Sequence, residues 1–162
     1  MKSLLLLRHA KSSWDDAGLD DFDRPLNDRG NKAAPVMGKW LRQKKLKPNL
    51  ILSSPAVRAK QTTKLICENA GWSNEVRYEG QIYEASVQRL FSLAMNIADE
   101  VELAVMVGHN PGFEELLEAL TGEPGRMPTA AAALIELNVE TWRKVKRGSG
   151  KLKWLRRPKD IQ

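Results

Sequence analysis

Residues 4–7 are four consecutive leucines, and they run directly into Arg8-His9-Ala10. A short, wholly apolar run of this kind suits a strand buried on both faces, as in the middle of an α/β sheet. A cation and an imidazole at the tip of a buried strand make poor core. They make a good site, because ligands of open α/β sheets bind just beyond the carboxyl ends of the strands. Taken alone, Arg8 reads as a surface arginine and His9 as a hydrogen-bonded loop histidine. The pair gains meaning only if other strands end in a related way.

Two others do. Residues 50–52 form a second apolar strand, followed by Ser53-Ser54-Pro55. Ser54 as cap and Pro55 as first helical residue predict a helix from there to about Ala70, stopped by Gly71. Arg58 then falls in the first turn, where free N–H groups and the helix dipole favour an anion. Residues 103–107 form a third apolar strand, ending in Gly108-His109-Asn110-Pro111-Gly112. Asn110-Pro111 repeats the cap-and-proline start of a helix that ends near Thr121-Gly122. His9 and His109 are the only histidines in the chain. Both therefore sit where a buried strand ends.

Between these junctions the chain alternates strands with helices. Residues 10–27 form a long, Asp-rich loop with Trp14 and Phe22, and loops of that length beside a candidate site are seldom idle. Asn27 caps a helix carrying Ala33, Met37, Trp40 and Leu41, in which Pro35 predicts a kink or a second start. Residues 75–85 read as a short connection, and Ser86 caps a helix over 87–98. Residues 131–139 and 151–155 alternate in polarity and predict an antiparallel pair. The expected fold is a single-domain three-layer α/β/α sandwich spanning residues 1–162. Its central sheet is mostly parallel, with an antiparallel C-terminal pair in a basic hairpin, 131–162, that is part of the same domain. Right-handed crossovers then bring the three strand tips to one edge.

Composition excludes several classes. With 162 residues, 42% hydrophobic and 28% charged, the chain has material for one folded core. No apolar run approaches the roughly 20 residues of a membrane span, and the N-terminal leucines are too few for a signal peptide. A single cysteine, Cys67, leaves no disulfide framework, and two histidines give little for a metal site. A cytoplasmic, metal-independent protein without cofactor is expected. The net charge of +6 is uneven. Nine of the 26 basic residues lie after Thr141, with Trp142 and Trp154 among them, while Asp160 is the one acid there. That tail reads as a solvated edge hairpin, or as a surface for nucleic acid or an acidic protein.

Two histidines and two arginines at one sheet edge suit phosphoryl transfer. Arginine forks bind phosphate oxygens and stay charged, and histidine is a competent nucleophile. Arg8, Arg58 and a protonated His109 would hold the three equatorial oxygens. His9 would attack in line and become a phosphohistidine, which water would hydrolyse.

These motifs resemble those of the histidine phosphatase superfamily, the group that includes the phosphoglycerate mutases. Arg8-His9-Ala10 resembles its Arg-His-Gly signature, with alanine in the glycine place. Ser53-Ser54-Pro55 with Arg58-Ala59 and Gln61-Thr62 resembles its second motif, and Gly108-His109 its second histidine. Arg24-Pro25-Leu26 and Met127-Pro128-Thr129-Ala130 extend the likeness. The branch most similar is that of the small SixA-type phosphohistidine phosphatases. The resemblance implies a phosphoglycerate mutase-like fold, His9 as nucleophile, and Arg8, Arg58 and His109 as the phosphate pocket. It adds Arg24 at the pocket border and Glu84, in Tyr83-Glu84-Ala85, as a candidate general acid.

Only about 30 residues separate Gly71 from the third strand, which leaves little for a lid. An open site suits a phosphorylated protein side chain better than a small sugar phosphate. Imidazole is also a good leaving group, so a phosphohistidine substrate tolerates a poor acid. The substrate expected is phosphohistidine on a carrier or signalling protein. A small-molecule phosphomonoesterase is the second reading. A non-enzymatic module that binds nucleic acid or protein through the basic tail is the third, and nucleic acid is disfavoured.

Overall fold

The computed structural model describes residues 1–161. Its centre is β1 (Lys2–Arg8), the strand of the four leucines. Five further strands complete one sheet: β2 (Leu50–Ser53), β3 (Val76–Tyr78), β4 (Leu103–Gly108), β5 (Ala132–Leu137) and β6 (Gly150–Arg156). The order is β3-β2-β4-β1-β5-β6. The β1–β4, β2–β4 and β2–β3 pairs are parallel, while β5 and β6 join β1 as an antiparallel edge.

The four leucines alternate between two cores, as a strand covered on both faces requires. Leu4 and Leu6 pack with α3 (Val87–Met95) and α4 (Gly112–Thr121). Leu5 and Leu7 pack with α1 (Asp28–Gln43) and α2 (Val57–Ala70). All four are fully buried. Truncating any one to alanine costs about 2–5 kcal/mol, a large share of a typical domain's net stability. The strand that leads into His9 is therefore firmly anchored in both cores.

Helix starts and stops follow the expected chemistry in part. Asn27 Oδ1 accepts from Gly30 N–H at 2.9 Å, and Ser86 Oγ from Arg89 N–H at 3.2 Å. Gly71 and Gly122 end α2 and α4 in left-handed backbone. Pro35 lies inside a single α1 instead of dividing it. The helix keeps one buried stripe through that position, Ala34, Met37, Gly38 and Leu41. Gly38 lets α1 approach α2 closely, since a Cβ there would lie 2.9 Å from Ile66 O.

Two helix starts differ from expectation. Ser54 is not a cap. Its N–H continues the sheet ladder to Val107 O at 2.9 Å, and a residue before proline favours extended backbone. α2 begins at Val57 after Ala56, which leaves Arg58 in the first turn as expected. α4 begins at Gly112, and the Asn110 side chain donates instead to Met127 O at 2.9 Å. The 75–85 connection contains a short edge strand, β3, and α3 stops at Met95 rather than near 98. The two tail tryptophans are structural. Trp142 is fully buried and its Nε1 donates to Val101 O at 2.8 Å, while Trp154 packs edge-on against Trp40.

Candidate active site

Sheet register brings the three tips together. Arg8 pairs with Gly108, and Ser53 with Val107. Pairing continues past the strand ends, with His9 N–H donating to Gly108 O at 3.0 Å. The His9 and His109 rings lie 5.1 Å apart, centroid to centroid. His9, His109, Arg24 and Arg58 are all buried. Arg8, at the strand end, is half-buried.

Hydrogen bonding fixes the tautomer of His9. Its Nδ1–H donates to Ala10 O at 2.7 Å, which leaves the lone pair on Nε2. Burial lowers its pKa to about 4, against the raising effect of the Ala10 carbonyl, and Arg58, Arg8 and Arg24 push the same way as burial. The imidazole is therefore neutral near pH 7. Thr62 fixes the next residue: its Oγ1 accepts from Ala10 N–H at 2.9 Å and donates to Arg58 O at 2.8 Å. One hydroxyl thus ties the tip of β1 to the first turn of α2. Ala10 is fully buried and its φ is not positive, so alanine fits where the family signature has glycine.

His109 Nε2 lies 2.7 Å from Ser54 Oγ, which already accepts from Ala56 N–H at 3.2 Å. If Ser54 then donates to Nε2, the ring proton sits on Nδ1. Nδ1 of His109 and Nε of Arg8 are buried with no partner among the described residues. Buried donors of this kind are normally completed by a partner, whether water or a ligand. Burial, His9 and Arg58 lower the His109 pKa to about 3. An opposite charge at contact would favour the imidazolium.

Asp21 organises the arginines, and sequence reasoning missed it. Arg58 donates through Nη1 to Asp21 O at 2.7 Å and through Nη2 to Asp21 Oδ2 at 2.9 Å. Arg24 Nη1 donates to Asp21 Oδ1 at 2.8 Å, and Tyr83 O–H to Oδ2 at 2.8 Å. Burial alone would raise the Asp21 pKa; the Tyr83, Arg58 and Arg24 donors outweigh it and hold the carboxyl well below the usual range. Burial and the carboxylates of Asp21 and Glu84 push the Tyr83 phenol up. Its ring stands 5.5 Å from that of His109. The only sequence signal for Asp21 was the crowding of aspartates in the 10–27 loop.

Arg24 is buried but committed to its own loop. Nε donates to Ser13 O at 3.0 Å, Nη2 bonds Ser12 Oγ, and the guanidinium lies 3.3 Å from the Trp14 ring centroid. Glu84 lies beside the Tyr83 hydroxyl but is exposed, with a left-handed φ of 52°, and makes no ion pair among the described residues. Met127 O accepts from Arg8 Nη1 at 3.0 Å as well as from Asn110, which ties the 127–130 segment to the site.

Fold and site together define an α/β protein with two histidines and two arginines gathered at the carboxyl edge of its sheet. The family model of the histidine phosphatase superfamily (branch 1) matches residues 4–103, and the chain belongs to that superfamily. A chloroplastic protein of Arabidopsis thaliana, itself uncharacterized, is 32% identical over 171 residues, covering 94% of this chain and 74% of its own length. The crystal structure of the SixA protein of Agrobacterium tumefaciens superposes with a TM-score of 0.84 at 31% identity, over 97% of this chain and 98% of that one. The protein histidine phosphatase SixA complexed with tungstate superposes at 0.86 with 23% identity, over 99% of each chain.

Proposed function

We propose that the protein hydrolyses phosphohistidine on another protein through a phosphoryl-His9 intermediate. His9 Nε2 attacks phosphorus in line while the P–N bond of the substrate breaks. The departing imidazole takes its proton from solvent. Arg8, Arg58 and the imidazolium of His109 hold the three equatorial oxygens, where charge stabilisation supplies most of the catalysis. Water then attacks phospho-His9, releasing phosphate and restoring neutral His9. Arg24 acts through Asp21, which aims the Arg58 fork.

The observation that carries the choice of substrate is the state of Asp21. The Asp21 carboxylate, exposed beside the arginines, is held ionised by three donors, so it has no proton to give. An alkoxide leaving group needs one, and general acid catalysis is worth about 10²–10⁴-fold. A phosphohistidine ring can take that proton from solvent on its other nitrogen and leave as neutral imidazole, so it needs no acid from the pocket. The likeness to SixA proteins supports the same reading.

Side-by-side kinetics test it. The wild type is expected to turn over phosphohistidine and phosphoramidate far faster than phosphomonoesters. Glu84→Gln is expected to leave P–N hydrolysis within about threefold, since an acid contributes its 10²–10⁴ only where one is needed. Efficient turnover of small esters, lost in Glu84→Gln, together with inertness toward phosphohistidine, would replace this proposal with a phosphomonoesterase using Glu84 as its acid.

A further inference from the structure

A cleft of about 790 Å³ opens next to the pocket and shares Arg8 with it. Lys11, Arg29, Lys32, Arg126, Arg157 and Lys159 line it, and Glu114 is its one acidic side chain among the described residues. That makes seven cations against one carboxylate. The rest of the chain then holds 19 basic and 19 acidic residues, so the whole net charge of +6 resides in this lining. The six come from the end of β1, the start of α1, the 126–129 segment and the C-terminal turn. Only Arg157 and Lys159 belong to the basic tail that the sequence singles out.

The cleft is continuous with the chemistry. Arg8 Nη1 reaches its wall at Met127 O. Glu114 is engaged there too, since its Oε2 accepts from Met127 N–H at 2.7 Å. Arg157 is neutralised by Asp160 through Nε and Nη2, each at 3.0 Å. Lys11, Arg29, Lys32 and Arg126 are exposed and take part in no ion pair among the described residues.

We propose that this cleft docks an acidic surface flanking the phosphohistidine of the protein substrate, placing the phosphoryl group at Arg8 and His9. The inference rests on the phosphohistidine reading above. Long, solvated cations on an open rim steer and orient a charged surface. A clamp for a small polyanion would need convergent, preformed polar groups, and here every cation except Arg8 and Arg157 is exposed. No aromatic side chain lines the cleft to stack a base, which disfavours a nucleic acid.

The probes are two histidine peptides phosphorylated with phosphoramidate, one flanked by Asp and Glu and the other by Asn and Gln, together with free phosphohistidine. The wild type at low salt is expected to prefer the acidic peptide by about 10–100-fold in kcat/KM, chiefly through KM, with the preference fading as salt rises. Lys32→Glu/Arg126→Glu is expected to abolish that preference and to leave free phosphohistidine turnover unchanged. Equal rates on both peptides by a wild type active on free phosphohistidine would overturn the docking proposal alone. Failure of the wild type on all three probes would overturn the phosphohistidine reading and the docking with it. Binding of an oligonucleotide that the double variant loses, with no acidic-peptide preference, would assign the cleft to nucleic acid and overturn the proposal.

Discussion

Replacing Gly30 by alanine tests whether the β1 tip is held from outside the pocket. Gly30 is the third residue of α1 and is buried against Lys11, two residues beyond His9. A Cβ on Gly30 would lie 2.2 Å from Lys11 O, 3.0 Å from its N and 3.1 Å from its carbonyl carbon. The obstacle is backbone, not a flexible side chain, so the helix start and residue 11 must separate by about 1 Å to reach ordinary contact. Overpacking of this kind costs about 1–3 kcal/mol, while alanine in place of glycine in a helix returns up to about 1 kcal/mol. Net destabilisation of about 0–3 kcal/mol lowers Tm by at most about 12 °C for a domain of this size. The kinetic effect is expected to be larger. Misplacing a reacting group by 1 Å costs about 100-fold, and Lys11 is joined through Ala10 to the nucleophile. Steady-state kcat/KM on phosphoramidate, with a thermal melt beside it, measures both. Gly80→Ala, where an added Cβ meets nothing within 4 Å, is the control and is expected to match wild type. A folded Gly30→Ala enzyme of full activity would refute the claim that the α1–Lys11 contact positions His9.

Three further outcomes follow from the same geometry. NMR titration in phosphate-free buffer is expected to find both imidazoles neutral at pH 6, with midpoints near the lowered values of about 4 for His9 and about 3 for His109. Because both folded values lie below the unfolded 6.5, the unfolded chain takes up protons first; stability is full above pH 6.5 and declines as pH falls toward about 4, which denaturant titrations can follow. Arg58→Lys keeps the charge but loses the fork that grips Asp21 twice, and one charged hydrogen bond of about 1.5–3 kcal/mol translates into a 10–100-fold loss of kcat/KM. Trp142→Phe removes the donor to Val101 O and is expected to lower urea stability by about 1–3 kcal/mol with kcat unchanged.

Much of this architecture is legible in the chain because it rests on strong local signals. The alternating burial of Leu4–Leu7, the strand-tip positions of His9 and His109 and the left-handed stops at Gly71 and Gly122 all follow from patterns of one to a few residues. Ser54 misleads because a serine before a proline also suits the end of a strand, and the sheet partner that decides between them is 53 residues away. β3 is hidden because a three-residue edge strand has one half-buried side chain, Val76, and no alternation to read. Asp21 stands among other loop aspartates, and only the tertiary approach of Arg24, Arg58 and Tyr83 distinguishes it. The cationic cleft gathers side chains from four distant segments, so no window of sequence contains it.

The central claim is a covalent phosphoryl group on His9. Rapid quench of the wild type with radiolabelled phosphoramidate, followed by peptide mapping, tests it most directly. The account predicts a stoichiometric, acid-labile and base-stable phosphoryl-enzyme on His9 that forms and decays at rates consistent with turnover and is absent from His9→Ala. Turnover without any such species, or label on another residue with His9→Ala still active, would contradict it.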